Sequence, residues 1–257
     1  MLLVLLWLAG WPSWTLAAGQ ASGASVVRVA AAADLQFALD EVIVQFRERH
    51  PHIRVEPTYG SSGNFHAQLR QRAPFDVYLS ADVAYPQDLV SRGIGARGDL
   101  FRYARGRLVV WVPTDSALPI ERDGLRALSA ARRIAIANPR HAPYGRAAEA
   151  ALRRAGVWTP AGRRLVLAEN VAQAAQFVES GAADAGLIAK SLVLAPAMRG
   201  SGRYWDIPEG MHPPLEQGGL ILPWASSRDS AVRFQQFLTG AGGREILARF
   251  GFGAPSR

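Results

Sequence analysis

Short apolar segments alternate with amphipathic segments along the chain from residue 26 onward. Residues 108–112 form a continuous apolar run closed by Pro113, which is typical of a buried strand. Apolar residues at Leu39, Val42, Ile43 and Phe46 instead keep the spacing of one helix face. Alternating strands and helices of this kind predict an α/β fold.

The pattern places strands and helices along the whole chain after residue 25. Strands are predicted near 26–31, 53–58, 76–80, 107–113, 133–137, 164–167, 184–188 and 216–222, and helices near 35–49, 63–72, 83–92, 145–155, 171–180, 228–239 and 242–249. The chain leaves one unit at the strand near 107–113 and returns through the one near 216–222. We therefore expect two lobes joined by two strands, with residues 25–105 and 206–257 in lobe I and residues 106–205 in lobe II.

Several predicted strands end in small residues and run directly into a predicted helix. Residues 31–35, 58–64, 138–145 and 169–171 have this form. The first N–H groups of a helix have no partner within it and carry a partial positive charge, so they bind anions readily. Because open α/β folds bind ligands beyond the carboxyl ends of their strands, we expect an anion site in a cleft that can hinge shut.

Residues 1–24 carry no charged side chain and begin with an apolar run at 2–8. This is typical of a signal peptide, although the usual cation near the start is missing, and a misassigned start codon would explain that. The run is shorter than the ~20 apolar residues that span a bilayer, which disfavours a membrane anchor. The chain has no cysteine, which excludes disulfides, thiolate metal sites and a lipidated N-terminal cysteine. We therefore expect a periplasmic protein without a lipid anchor.

The formal net charge is +8, but the arginines are scattered singly and in short pairs. Nucleic-acid binding would require concentrated positive charge with aromatic residues between, so we expect no nucleic-acid partner and only a general attraction for anions. The five histidines have no acidic or cysteine cluster beside them. We expect no metal-ion site and no cofactor.

The order and spacing of several segments resemble those of the periplasmic molybdate-binding proteins of bacterial ABC importers, which are type II periplasmic binding proteins. The segments are AAADL at 31–35, the Ser61-Ser62 pair, APFDVYLSAD at 73–82, the stretches at 138–145 and 169–171, and RFGF at 249–252. The resemblance implies a two-lobed fold that captures a tetrahedral oxyanion, molybdate or tungstate. It also implies a monomer that delivers this ligand to an ABC transporter permease in the inner membrane.

In that family, neutral backbone and hydroxyl donors hold the oxygens of the oxyanion. The resemblance and its neighbourhood give the expected ligand-binding residues Asp34, Ser61, Ser62, Tyr144, Val171, Ala189 and Lys190, with the molybdate oxyanion held through Asp34, Ser62, Tyr144 and Val171. Asp34 stands where the family has Ser, Thr or Asn, and Ala189 stands where some members have Tyr. We expect Tyr144 to supply a substitute hydroxyl, and Ser61 to act mainly as a helix N-cap.

Asp34 would bring a negative charge to a site for a dianion. Two unit charges ~4 Å apart repel by about 4 kcal/mol at an effective dielectric of 20, and a helix N-terminus returns at most about 2 kcal/mol. Lys190 is the only lysine in the chain and follows Ala189 directly. We therefore hypothesise that Lys190 pairs with Asp34 across the cleft. The alternative is that Asp34 caps its own helix while Lys190 faces solvent.

Other functions stay open at this stage. The same fold could receive a different oxyanion or a small organic acid, or the protein could be a periplasmic sensor subunit. An enzyme in the same cleft is the third alternative, but no nucleophile–base pair is evident in the sequence. Discrimination between molybdate or tungstate and sulfate would depend on cavity size, because Mo–O and W–O bonds are longer than S–O bonds.

Overall fold

The computed structural model describes residues 25–158 and 162–256 of the 257-residue chain. The predicted signal peptide, residues 1–24, lies outside the described residues. The strands are β1 (Ser25–Ala32), β2 (Ile53–Gly60), β3 (Val77–Ser80), β4 (Leu100–Gly106), β5 (Leu108–Pro113), β6 (Ile134–Ala137), β7 (Leu165–Ala168), β8 (Ala185–Ala189), β9 (Gly202–Asp206) and β10 (Leu215–Ile221).

The strands form two five-stranded sheets, and the predicted two-lobed α/β fold is confirmed. The first sheet has the order β2-β1-β3-β10-β4, with β1 parallel to both β2 and β3 and with β10 antiparallel to its two neighbours. The second has the order β7-β6-β8-β5-β9, with β5 as the antiparallel strand. Each sheet therefore receives one antiparallel strand at the same relative position.

Helices cover the sheets and follow the parallel strands. They are α1 (Gln36–Arg49), α2 (Ser62–Leu69), α3 (Ala84–Ser91), α4 (Ile120–Asp123), α5 (Pro143–Arg154), α6 (Val171–Glu179), α7 (Lys190–Val193), α8 (Arg228–Thr239) and α9 (Ala241–Arg249). A short 3-10 turn, Ala33–Leu35, joins β1 to α1. No helix within the described ranges is long and apolar enough to cross a membrane.

Two strands were not predicted from the sequence, β4 and β9. Both lie at the edge of a sheet. Their sequences, LFRYARG and GRYWD, mix charged and aromatic residues and leave part of each strand exposed. An edge strand does not need the continuous apolar run of a central strand, so its pattern in the sequence is weak.

The chain passes between the sheets twice. It leaves the first sheet after Gly106, which ends β4, and enters the second at Leu108, the first residue of β5. It leaves the second sheet after Asp206, which ends β9, and returns to the first at β10. These crossings lie close to the boundaries expected from the sequence, at residues 105/106 and 205/206. The division of the chain into lobes at those residues stays a prediction.

Candidate functional site

Three helix N-termini and the turn after β1 surround a small cavity between the two sheets. The cavity is lined by Asp34 from the turn, Ser61 and Ser62 at the start of α2, Tyr144 in the first turn of α5, and Val171 at the start of α6, together with small residues that include Gly60, Ala81 and Ala142. The volume open to the centre of a water molecule in this cavity is about 10 Å³. That is about the room for one water, so the site is closed tightly around a small space.

Small residues allow the helix ends to come close together. A Cβ atom at Gly145 would lie 2.2 Å from the carbonyl oxygen of Ala137, at the end of β6. Only glycine permits this approach, which brings the first turn of α5 against the end of its strand. The small residues between β6 and α5 therefore allow Tyr144 to lie at the cavity.

Asn170 caps the start of α6. The side chain of Asn170 accepts a hydrogen bond from the backbone N–H of Gln173 at 3.0 Å. The cap occupies one of the unpaired N–H groups of the helix and leaves the N–H of Val171, at the first helical position, directed toward the cavity end of α6.

Ser61 and Ser62 make different contacts. Ser61 holds the N-cap position of α2, but its hydroxyl makes no capping bond and donates instead to the carbonyl oxygen of His141 at 2.7 Å. The Ser62 hydroxyl oxygen accepts from the backbone N–H of Ala81 at 3.0 Å. Ser62 therefore keeps its hydroxyl proton for another acceptor, whereas the proton of Ser61 is already used between the lobes.

The ring of His141 also contacts Ser61, with 2.9 Å between Nδ1 and the hydroxyl oxygen. The Ser61 proton points to the His141 carbonyl, so Nδ1 is the donor in this second contact. A general base would have to accept the serine proton at that nitrogen. The pair therefore joins the two lobes beside the cavity.

The carboxyl group of Asp34 is buried, with 1% of the residue exposed. Its Oδ2 atom accepts hydrogen bonds from the Tyr144 hydroxyl at 3.0 Å and from the side-chain amide of Gln217. Its Oδ1 atom is buried without a partner among the described residues. Burial raises the pKa of Asp34 to about 6, against the lowering effect of the hydrogen bonds from Gln217 and Tyr144.

The hypothesis that Lys190 pairs with Asp34 is wrong. Lys190 Nζ donates to both carboxylate oxygens of Asp206, at 2.9 and 2.8 Å, and lies 5.4 Å from the centre of the Tyr204 ring. Lys190 begins α7 and Asp206 ends β9, both on the side of the second sheet, so the nearest carboxylate is not the one in the cavity. The alternative is also wrong, since only 14% of the Lys190 side chain is exposed and the Asp34 carboxyl accepts from the Tyr144 and Gln217 side chains and not from the first N–H groups of α1.

Two further expectations are corrected by the packing around Asp34. Ala189 is fully buried as the last residue of β8, opposite Leu108, and does not line the cavity. The hydroxyl of Tyr144 does not stand free as a substitute donor, because it is bound to Asp34. Burial first, and then the Asp34 charge, raise the pKa of Tyr144 well above its usual value, so this hydroxyl keeps its proton and stays a donor.

Sequence reasoning missed Gln217. It is fully buried in β10, where it stands between Glu216 and two glycines. Its Oε1 atom, like Asp34 Oδ1, is buried without a partner in the described part of the chain. The only signal in the sequence was a polar residue inside the predicted buried strand near 216–222, and that signal does not reveal which group the amide meets.

Further contacts join the two lobes around the cavity. Arg146 on α5 donates to Asp82 at 2.6 Å and to the Tyr85 hydroxyl at 2.8 Å. The side-chain amide of Asn64 on α2 donates to Glu169 at 2.7 Å. The Ser191 hydroxyl donates to the backbone carbonyl of Asp34 at 2.6 Å. The lobes are thus held in a closed arrangement.

The chain is similar to known proteins over most of its length. Residues 27–253 match the sequence profile of the family described as bacterial extracellular solute-binding protein. The molybdate-binding protein ModA of Azotobacter vinelandii is 33% identical over 91% of this chain and 92% of its own length, and that of Rhodobacter capsulatus is 32% identical over 90% and 89%. The solved structure of an Azotobacter vinelandii periplasmic molybdate-binding protein matches with a TM-score of 0.84 at 31% identity, over 90% of this chain and all of that one.

These matches run through both sheets and confirm the resemblance found in the sequence. The fold, the order of the segments and the extent of the similarity agree from the first strand to the last residues. The chain belongs to the bacterial extracellular solute-binding protein family.

Proposed function

We propose that this protein is a periplasmic substrate-binding protein that captures a tetrahedral oxyanion, molybdate or tungstate, and delivers it to an ABC importer. Its partner is the permease in the inner membrane, and residues 1–24 direct its export. The proposal rests on the similarity to proteins named for molybdate binding and on the cavity between the lobes.

One observation carries the ligand class: the N-termini of α2, α5 and α6 converge on a single small cavity. Each contributes N–H groups without partners in its own helix and a partial positive charge. Asp34 is the one charged side chain among the lining residues, within the part of the chain that is described. A compact anion surrounded by neutral donors fits this arrangement.

The donors divide by role. The hydroxyl of Ser62 and the backbone N–H groups of Tyr144 and Val171 bind oxygens of the anion. Tyr144 also holds the Asp34 carboxyl through its hydroxyl, at 3.0 Å. Ser61 fastens the closed lobes through His141 and contributes little to the ligand directly. None of these groups bonds the metal atom, since the ligand presents only its oxygens.

The surroundings of the cavity favour this ligand class over the alternatives. In this arrangement the cavity has room for about one water, so a tetrahedral oxyanion needs the lobes to separate slightly, and the longer carbon skeleton of an organic acid needs them to separate further. The serine of the Ser61–His141 pair beside the cavity gives its hydroxyl proton to the His141 carbonyl oxygen and not to the imidazole, which disfavours nucleophilic catalysis. We therefore propose a binding function, without a cofactor and without catalysis.

Isothermal titration calorimetry against molybdate, tungstate, sulfate and phosphate tests the proposal. We expect tight binding of molybdate and tungstate and no heat with sulfate. At a free ligand concentration ~1,000 times the dissociation constant, binding should stabilise the folded protein by about 4 kcal/mol, which a thermal melt detects. A melt that none of the four anions shifts would reject an oxyanion receptor, and tighter binding of sulfate would reassign the ligand.

A further inference from the structure

A carboxyl group in a site for a dianion needs a proton, and the hydrogen bonds of Asp34 show where that proton belongs. Both donors from the protein, the Tyr144 hydroxyl and the Gln217 amide, reach the same oxygen, Oδ2. Oδ1 is buried and has no partner in the described residues. An oxygen that accepts two hydrogen bonds is the one that stays unprotonated, so a proton on this group resides on Oδ1.

Asp34 also lines the cavity that the helix N-termini surround. We propose that Asp34 binds the oxyanion as a neutral acid, donating the proton on Oδ1 to an oxygen of the ligand, so that capture of the dianion takes up one proton. This inference rests on the proposed function, because it assigns a specificity-determining role to one residue of the same site.

Among the described residues, no cation is bound to the Asp34 carboxyl to neutralise it in place of a proton. Two titratable groups feel the charge of Asp34, Tyr144 on α5 and Tyr103 on β4. The elements packed against the turn also carry Lys190 at the start of α7, Asp40 in α1 and Tyr59 near the end of β2. Lys190 is bound to Asp206, and Asp40 accepts from Tyr59. The first two turns of α6 contain no titratable side chain. Burial raises the pKa of Tyr103 well above its usual value, and the charge of Asp34 adds to this, so the two nearby tyrosines remain neutral.

Burial, opposed by the hydrogen bonds from Gln217 and Tyr144, brings the pKa of Asp34 to about 6 before any ligand is bound. A bound dianion raises it further, because a nearby like charge disfavours the ionised form. At neutral pH the group therefore changes from largely ionised to neutral when the ligand binds. By linkage, the dissociation constant should then rise about tenfold for each pH unit above the pKa of the free protein.

Asparagine at position 34 reproduces the neutral acid closely. Its amide oxygen can accept from Tyr144 and Gln217, and its amide nitrogen can donate to the ligand as the protonated carboxyl does. Asp34→Asn should therefore bind molybdate at pH 8 at least as tightly as the wild-type protein, without its pH dependence. Ser62→Ala is the matched control: it should bind more weakly at every pH but keep the slope of the wild-type profile.

The test is a set of molybdate titrations between about pH 6 and 8.5 on the full chain, repeated in two buffers with different ionisation enthalpies. We expect close to one proton taken up per wild-type protein near pH 8 and none for Asp34→Asn. A flat wild-type profile with no proton uptake would overturn the inference while leaving the oxyanion receptor intact. Weaker binding by a folded Asp34→Asn at every pH would overturn it equally, and a wild-type protein that binds no oxyanion would reject the proposed function together with it.

Discussion

Arg146 of α5 donates to Asp82 at 2.6 Å and thereby joins the second lobe to the first beside the cavity. The same guanidinium donates to the Tyr85 hydroxyl at 2.8 Å and lies 5.2 Å from the centre of its ring. These contacts join the lobes in the closed arrangement, and we expect opening of the cleft to break them. Arg146 should therefore affect ligand affinity through closure of the lobes, without contacting the ligand.

Replacing Arg146 with methionine should therefore weaken oxyanion binding, mainly by faster release. The side chains of Arg146 and Asp82 are 39% and 31% exposed, so we expect a loss of about 1 kcal/mol, or about fivefold in affinity. Stopped-flow kinetics would measure the release rate. Arg153→Met is the control, since Arg153 lies on the same helix but pairs with Glu149 and covers Trp158 within its own lobe; an equal loss in both variants would contradict the role of Arg146 in closure.

The two serines of α2 should differ in their effect on affinity. Ser62→Ala removes the hydroxyl proton that is free for the ligand and should cost roughly 1.5–3 kcal/mol, the range for a hydrogen bond to a charged group. Ser61→Ala removes only the contacts with His141 and should cost less. Calorimetry ranks the two variants, and the reverse ranking would show that Ser61 is the hydroxyl that contacts the anion.

Gly63→Ala should hinder closure without unfolding either lobe. A Cβ atom at this position would lie 2.4 Å from the carbonyl oxygen of His141, on the opposite lobe, and 2.8 Å from the Tyr85 hydroxyl. Relief of that overlap costs about 2 kcal/mol, which is about 30-fold in affinity. Gly98→Ala adds a Cβ that meets nothing within 4 Å and should bind as the wild-type protein does. Normal affinity in Gly63→Ala would mean that the ligand binds to a more open arrangement.

Asp34 should also make the stability of the ligand-free protein depend on pH. The folded-state pKa of about 6 lies above the value of 3.8 for a free aspartate, so the folded state holds the proton more tightly. Its contribution is fully present below pH ~4 and is lost as the pH rises through about 6; the difference corresponds to about 3 kcal/mol. Denaturant titrations should therefore show Asp34→Asn more stable than the wild-type protein at pH 7.5. The exposed residue Asp115, replaced by asparagine, is the control, and an unchanged stability in Asp34→Asn would contradict the prediction.

Lys190→Met should leave ligand affinity nearly unchanged. Lys190 is bound to Asp206, which is 52% exposed, and a pair of this kind contributes about 0.5–1 kcal/mol to folding. We expect a small loss in the free energy of unfolding, measured by denaturant titration, with the same molybdate dissociation constant. A large loss of affinity would show that Lys190 reaches the cavity in a state other than the closed one.

The sequence by itself determined the fold class and the places where helices begin at strand ends. Apolar periodicity located the central strands and most helices, because a buried face must be apolar at a fixed spacing. The strand-to-helix junctions at 31–35, 58–64, 138–145 and 169–171 indicated the elements that line the cavity, since the first N–H groups of a helix have no partner within it. The edge strands β4 and β9 were not predicted, because partly exposed strands lack the continuous apolar pattern of a buried strand.

Only the tertiary structure decided which side chains meet at Asp34. Lys190 is close to the expected site in sequence but turns to Asp206, whereas Gln217 is 183 residues away from Asp34 and donates to its carboxyl group. The partners of a side chain depend on where the packed strands and helices direct the side chains around it. Distance along the sequence does not give those directions. The sequence shows only that position 34 is an aspartate. The packing of both lobes around this residue buries it, brings two donors to one carboxyl oxygen and leaves the other oxygen without a partner among the described residues.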